Sequence, residues 1–236
     1  MPFVRLTIAA VLAAILPLAA CGASNGASSS GESASALVSA SSDSLPTAGD
    51  TALERRADRA RIQGNDKAPI WIVEVSDFQC PFCRNWHEQT YPTVLKEFVE
   101  TGKARLAYIN FPIPGHQNAW PAAEAAMCAA AQGHFWPMHD GLFASQQQWE
   151  TLPDPTPVFD SLATKVGVDL GPYHDCISQH EMRALIQADI DRARESGVNA
   201  TPTFIIGDQS ISGAQPIEVF RQIIQKQLQE KPGQGS

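Results

Sequence analysis

The feature that most limits what this chain can become is the stretch Cys80-Pro81-Phe82-Cys83 and what flanks it. Before it runs Ile70-Trp71-Ile72-Val73-Glu74-Val75, rich in β-branched and aromatic residues and so a strand. After it the larger apolar residues Trp86, Val94, Leu95, Phe98 and Val99 follow a helical pattern. The strand therefore hands a C-x-x-C to the start of a helix. Unpaired N–H groups and a partial positive charge at a helix N-terminus favour a thiolate over a thiol. The thiolate is the nucleophile of disulfide exchange, so the motif points to redox chemistry. The competing readings are a structural disulfide or half of a zinc site. Zinc needs two more ligands, and no second C-x-x-C or close Cys/His pair is evident, so no metal is expected.

Strand alternation places Ile70, Ile72 and Glu74 on one face and Trp71, Val73 and Val75 on the other. The unbroken apolar run suggests burial on both faces, which makes Glu74 the anomaly. As a functional residue it is a buried acid with a raised pKa; as a plain one it is solvated at a strand edge.

The 236 residues fit one large or two small domains. A net charge of −8 argues against nucleic acid as a partner. Five cysteines is an odd number, so at least one stays outside any internal disulfide. Residues 1–20 read as an export signal, with Arg5 ahead of an apolar stretch from Leu6 to Leu18 that is too short for a good membrane helix. Leu18-Ala19-Ala20-Cys21 resembles a bacterial lipobox, which implies cleavage before Cys21 and lipid on its sulfur. The alternative is an ordinary signal peptide with a cysteine at its cleavage site. Residues 21–50 are Ser, Ala and Gly with almost no large side chains and read as a flexible tether, leaving 51–236 as the folded domain. The resulting address is the cell envelope: exported, membrane-anchored by lipid, on the periplasmic or extracytoplasmic face, where disulfides persist.

Within the folded part, Ala57 to Gln63 reads as a short edge strand with a turn at Gly64-Asn65, followed by the strand at 70–75. The helix after Cys83 continues to about Glu100 and bends at Pro92. Ala104 to Asn110 is the next strand. From about 115 to 197 the pattern is helical: Ala119–Gln132, Phe135–Phe143, Pro157–Val166, a short helix carrying Cys176, and an amphipathic helix from Glu181 to Ser196. Thr203–Ile206 and Gln209–Ser212 form a hairpin, and a last helix runs from about Pro216 to Glu230. This is an α/β domain interrupted by a helical insertion.

Residues 66–230 resemble the DsbA-like branch of the thioredoxin superfamily, so the expected fold is thioredoxin-like with a helical insertion. Four features carry the resemblance: Asp77-Phe78-Gln79-Cys80-Pro81-Phe82-Cys83; Glu74 six residues before the first cysteine; Ala122-Ala123-Glu124-Ala125-Ala126-Met127-Cys128; and Thr201-Pro202-Thr203-Phe204. It implies a thiol–disulfide oxidoreductase with Cys80 as exposed nucleophile, Cys83 as buried resolving thiol and Glu74 as the relay for the Cys83 proton. It further implies that Pro202 is cis and faces the active site, that Thr201 touches the sulfur, and that Cys128 and Cys176 form a second disulfide. Trp86, His87 and Phe78 are candidates for the groove border; for His87 a plain helix-surface position is favoured. His134 and His139 show no ligand pattern.

The resemblance implies exported protein thiols and disulfides as substrates, a membrane redox partner that recycles the site, no cofactor and a monomer. The favoured direction is disulfide-forming oxidation. The alternatives are a reductase or isomerase, or a copper-binding lipoprotein using Cys80 and Cys83 as soft ligands. Pro81-Phe82 lacks the histidine found between the cysteines of the best-known DsbA, and Phe82 can give a thiolate no hydrogen bond, so a weaker oxidant is expected.

Overall fold

A computed structural model describes residues 51–230. The export signal, Cys21 and the tether through Asp50 lie outside the described residues.

The sheet is organised by β2 (Ile70–Ser76), whose β-branched residues are buried on both faces. It pairs in parallel with β3 (Ala104–Asn110), Glu74 standing opposite Tyr108, and antiparallel with β4 (Thr203–Ile206). β5 (Gln209–Ser212) closes a hairpin on β4. Gly207 makes that turn possible: φ is +61°, and a Cβ there would meet Gln227 Oε1 at 2.5 Å. With β1 (Ile62–Gln63) antiparallel to β3, the strand order is β1-β3-β2-β4-β5.

The expected edge strand from Ala57 is a helix for most of its length. Thr51 and Glu54 form a reciprocal capping box that starts α1 (Ala52–Ala60), leaving two residues for β1. A Thr-x-x-Glu ahead of helix-favouring residues outweighed the short strand pattern. Arg61, just past the helix, turns inward and is fully buried. It pairs with Asp58 and with Asp189 on the insertion helix α9 (Arg183–Glu195), and Asp189 also accepts from Arg192 and from the Asn110 backbone and side chain.

The single bent helix expected after Cys83 is three segments. α2 (Pro81–Gln89) ends at Thr90, whose hydroxyl donates to the Gln215 carbonyl at 3.1 Å. α3 (Tyr91–Val94) then opens with Pro92 in its first turn, where a missing N–H costs nothing. A π-helical turn over Leu95–Val99 follows.

Between β3 and β4 lies the insertion: α4 (Ala119–Ala130), α5 (Phe135–Ala144), α6 (Gln146–Trp149), α7 (Thr156–Lys165), α8 (Leu170–Ser178) and α9. The short α6 has no sequence period of its own. On one sheet face Ile70, Ile72, Leu106 and Phe204 pack with Trp86 and with Phe220 of α10 (Ile217–Glu230). Val73, Val75 and Ile109 pack instead with the alanine face of α4 and its neighbours. Cys128 of α4 and Cys176 of α8 are joined by a disulfide with their Cα atoms 5.9 Å apart.

Candidate active site

Cys80 is the N-cap of α2 and Pro81 its first residue, so the backbone leaves β2, turns through 77–79 and enters the helix at the sulfur. Side chains from both parts of the chain fix that turn. Asp77, buried, accepts from the backbone N–H of Gln79 (2.7 Å) and Ile113 (2.9 Å) and from His116 Nδ1 (2.7 Å). Gln146 of α6, fully buried, donates from one amide nitrogen to the carbonyls of Phe78 (2.6 Å) and Cys80 (3.1 Å). Gln79 in turn accepts from the Asn118 N–H and donates to the Glu150 carbonyl, each at 2.7 Å. Gln146 is not marked in the sequence, and Asp77 and Gln79 are marked there only as part of the motif, because polar contacts 36 to 71 residues apart leave no local periodicity.

Opposite the turn, the Thr201–Pro202 peptide is cis, and Thr203 pairs with Val75 at the end of β2. That register sets Thr201 against the first cysteine, whose Sγ lies 3.5 Å from the Thr201 carbonyl. The same loop covers Cys80, which is 3% exposed and not the open nucleophile expected; Cys83 is wholly buried. Phe82 is the exposed one, at 63%, and is the single large apolar side chain so exposed among the described residues. Phe78 and Trp86 point into the core and do not border a groove.

The two thiols differ in acidity. The Cys83 thiol hydrogen-bonds the Cys80 sulfur and, against the opposing effect of burial, brings its pKa down to about 6; Thr201 and the N–H groups of Cys83 and Phe82 help. Burial, and then the neighbouring Cys80 sulfur, push Cys83 well above an ordinary thiol. Glu74, opposite Tyr108 on β3, is fully buried with neither oxygen at hydrogen-bonding distance of a partner. Burial raises it to about 8, the Ser76 hydroxyl pulling the other way and the Asp140 charge adding to the rise. At neutral pH it is a protonated acid.

The geometry is that of a family, and the comparisons name it. A family model described as thioredoxin matches residues 56–226. The chain belongs to the thioredoxin family. Disulfide bond formation protein D of Bacillus subtilis is 23% identical over 175 residues, covering 72% of this chain and 78% of that protein. The probable counterpart in Bacillus anthracis is 29% identical over 148 residues, 61% of this chain and 67% of that protein. A Na(+)/H(+) antiporter, NhaA 3 of Salinispora tropica, is 33% identical over 166 residues; the match takes 69% of this chain but only 24% of the antiporter, so the chain spans about a quarter of that relative. Among solved structures, oxidised BdbD of Bacillus subtilis superposes with a TM-score of 0.66 at 22% identity, covering 72% of this chain and 92% of that one. Alpha-DsbA1 of Wolbachia pipientis gives 0.64, also at 22%, over 72% and 91%. The thioredoxin-like fold with its helical insertion is thus that of the DsbA-like structures.

In this DsbA-like frame two histidines depart from expectation. His87 lies on α2, one turn after Cys83, with its ring stacked on Tyr91 and Phe143 and its Nε2 3.0 Å from Asp140 Oδ1, so it is no plain surface residue. His139 of α5 is fully buried in the same aromatic cluster, and its Nδ1 lies 2.9 Å from that oxygen. Burial pushes His139 down to about 4 despite Asp140. His134 takes no part in this group; it precedes α5 as its N-cap residue.

Proposed function

We propose that this DsbA-like oxidoreductase is a disulfide-forming oxidase of exported proteins, held at the membrane by lipid on Cys21. The observation that carries the direction is the asymmetry of the two thiols: Cys80 near 6 and Cys83 far above it. A stabilised thiolate stabilises the reduced protein and makes the disulfide the better oxidant.

A substrate thiolate attacks Cys80 Sγ in the Cys80–Cys83 disulfide. The S–S bond breaks, and the pair of electrons leaves on Cys83, whose high pKa calls for a proton. Glu74, buried and protonated below about 8, is our candidate for the acid that supplies it. A second substrate thiolate then attacks the substrate sulfur of the mixed disulfide and expels Cys80, a good leaving group at a pKa of about 6. The substrate loses two electrons and gains a disulfide; the protein is left as a dithiol for a membrane redox partner to reoxidise. The backbone of Thr201-Pro202 offers a sheet-like edge to an extended substrate, and exposed Phe82 offers an apolar footing beside it. The names of the Bacillus relatives support this direction. The antiporter match, a like segment within a membrane protein, supports the envelope address.

The test has two parts: the redox state of Cys80 and Cys83 trapped in cells, and oxidation of a reduced, unfolded model protein by the purified oxidised chain. Mostly disulfide in cells and stoichiometric oxidation in vitro, abolished by Cys80→Ser, is expected. A pair found mostly as dithiol in cells would overturn the oxidase direction.

A further inference from the structure

None of His87, His139 and Asp140 carries a step of the proposed thiol exchange, and their ligand atoms all lie within 4.8 Å of one another. We propose that it is a binding site for a single divalent transition cation of the zinc class, tying the C-x-x-C helix α2 to the insertion helix α5. The inference does not depend on the direction of disulfide exchange.

Three observations argue for it. The donor set is two imidazole nitrogens and a carboxylate oxygen, the set that leaves an open position on a four-coordinate ion. The nitrogens stand 3.0 and 2.9 Å from Asp140 Oδ1. A tetrahedral ion with bonds of about 2.0–2.1 Å sets its ligand atoms about 3.3 Å apart, so to admit one the two N–O distances open by a few tenths of an ångström and the N–N distance, within 4.8 Å, draws in towards that value. Both imidazoles are also free to change tautomer. Without a cation, each must direct an N–H at the carboxylate, which can only accept. A cation needs the bare nitrogen there, with the proton moved to His87 Nδ1 and His139 Nε2. Neither of those atoms has a hydrogen bond to lose.

The surroundings fit a site with one open side. His139 is sealed by Phe135, Trp136 and Tyr108, while the Asp140 side chain is half-exposed, giving the ion an entry path.

The experiment uses the full chain with Cys80 and Cys83 oxidised to the disulfide, so that thiols cannot compete. Cobalt(II) is the spectroscopic probe and zinc(II) the competitor. The expected result is one cobalt per chain with the intense visible absorption of a four-coordinate site, displaced by zinc and accompanied by a rise in Tm. His87→Gln and Asp140→Asn, both on the solvent side of the cluster, should each weaken binding by roughly tenfold or more. His174→Gln, at an exposed pair with Asp160, should leave it unchanged. No stoichiometric cobalt, a weak six-coordinate spectrum, or equal affinity in H87Q and D140N would each overturn the proposal.

Discussion

Glu74 and Asp189 are both fully buried acids, and the chain treats them in opposite ways. Asp189 accepts from Arg61, Arg192 and two groups of Asn110, and so locks α1, β3 and α9 together. Glu74 has no partner at hydrogen-bonding distance. A buried carboxylate with enough donors stays charged and serves as scaffold; one without donors keeps its proton and can give it away. The same burial thus builds rigidity in one place and a titrating group in the other.

The most damaging way to break this comparison is on the scaffold side. Arg61→Leu leaves Asp58 buried without its cation and Asp189 with Arg192 alone, and should cost about 3–5 kcal/mol by denaturant unfolding. The thiol acidity of the fraction that stays folded should be unchanged. A loss below about 1 kcal/mol would show that the network is not structural.

On the reactive side the sign depends on pH. The native pKa of Glu74 is about 8 against an ordinary 4.5, so the folded state binds the proton more tightly. Stability from this group is full below about 4.5 and is lost as pH rises through 8. Glu74→Gln should remove that decline, so the variant gains on the parent by a few kcal/mol between pH 5 and 9 while resolving mixed disulfides more slowly. A difference between the two proteins that does not vary with pH would refute the raised pKa.

The smallest effect sharpens the comparison, because Gln146 is a scaffold-type group on the reactive side. Gln146→Leu frees the carbonyls of Phe78 and Cys80 and should cost about 1–3 kcal/mol. It should also loosen the turn before Cys80 and raise the pH at which that thiol is alkylated. Unaltered alkylation kinetics would confine Gln146 to packing.

Much of this was legible in the chain because it is written locally. The strand at 70–75, the motif at 80–83 and the hairpin at 203–212 each follow from neighbouring residues, whereas the meaning of Glu74 six residues before Cys80 came through family resemblance. The pairing of Cys128 with Cys176 came through family resemblance, since spacing alone allows other outcomes. What stayed hidden was long-range. The Arg61–Asp189 bond spans 128 positions, the Gln146 contacts to Phe78 and Cys80 span 68 and 66, and His87 meets Asp140 across 53. Nothing in a window of ten or twenty residues distinguishes such a side chain from a solvated one. Cys80 failed for a related reason: the loop at Thr201 that covers it arrives 121 residues later. The edge strand near Ala57 failed locally, because a capping box at Thr51 was there to be read.

The measurement that tests the account most directly is the reduction potential of the Cys80–Cys83 pair, determined by equilibration with glutathione. A Cys80 thiol near 6 lies between the roughly 7 of thioredoxin and the roughly 3.5 of DsbA. The potential should therefore fall between about −270 and about −120 mV, the values of those two proteins. A value at or below that of thioredoxin would contradict the oxidase reading. A value at or above that of DsbA would contradict the role given to Phe82.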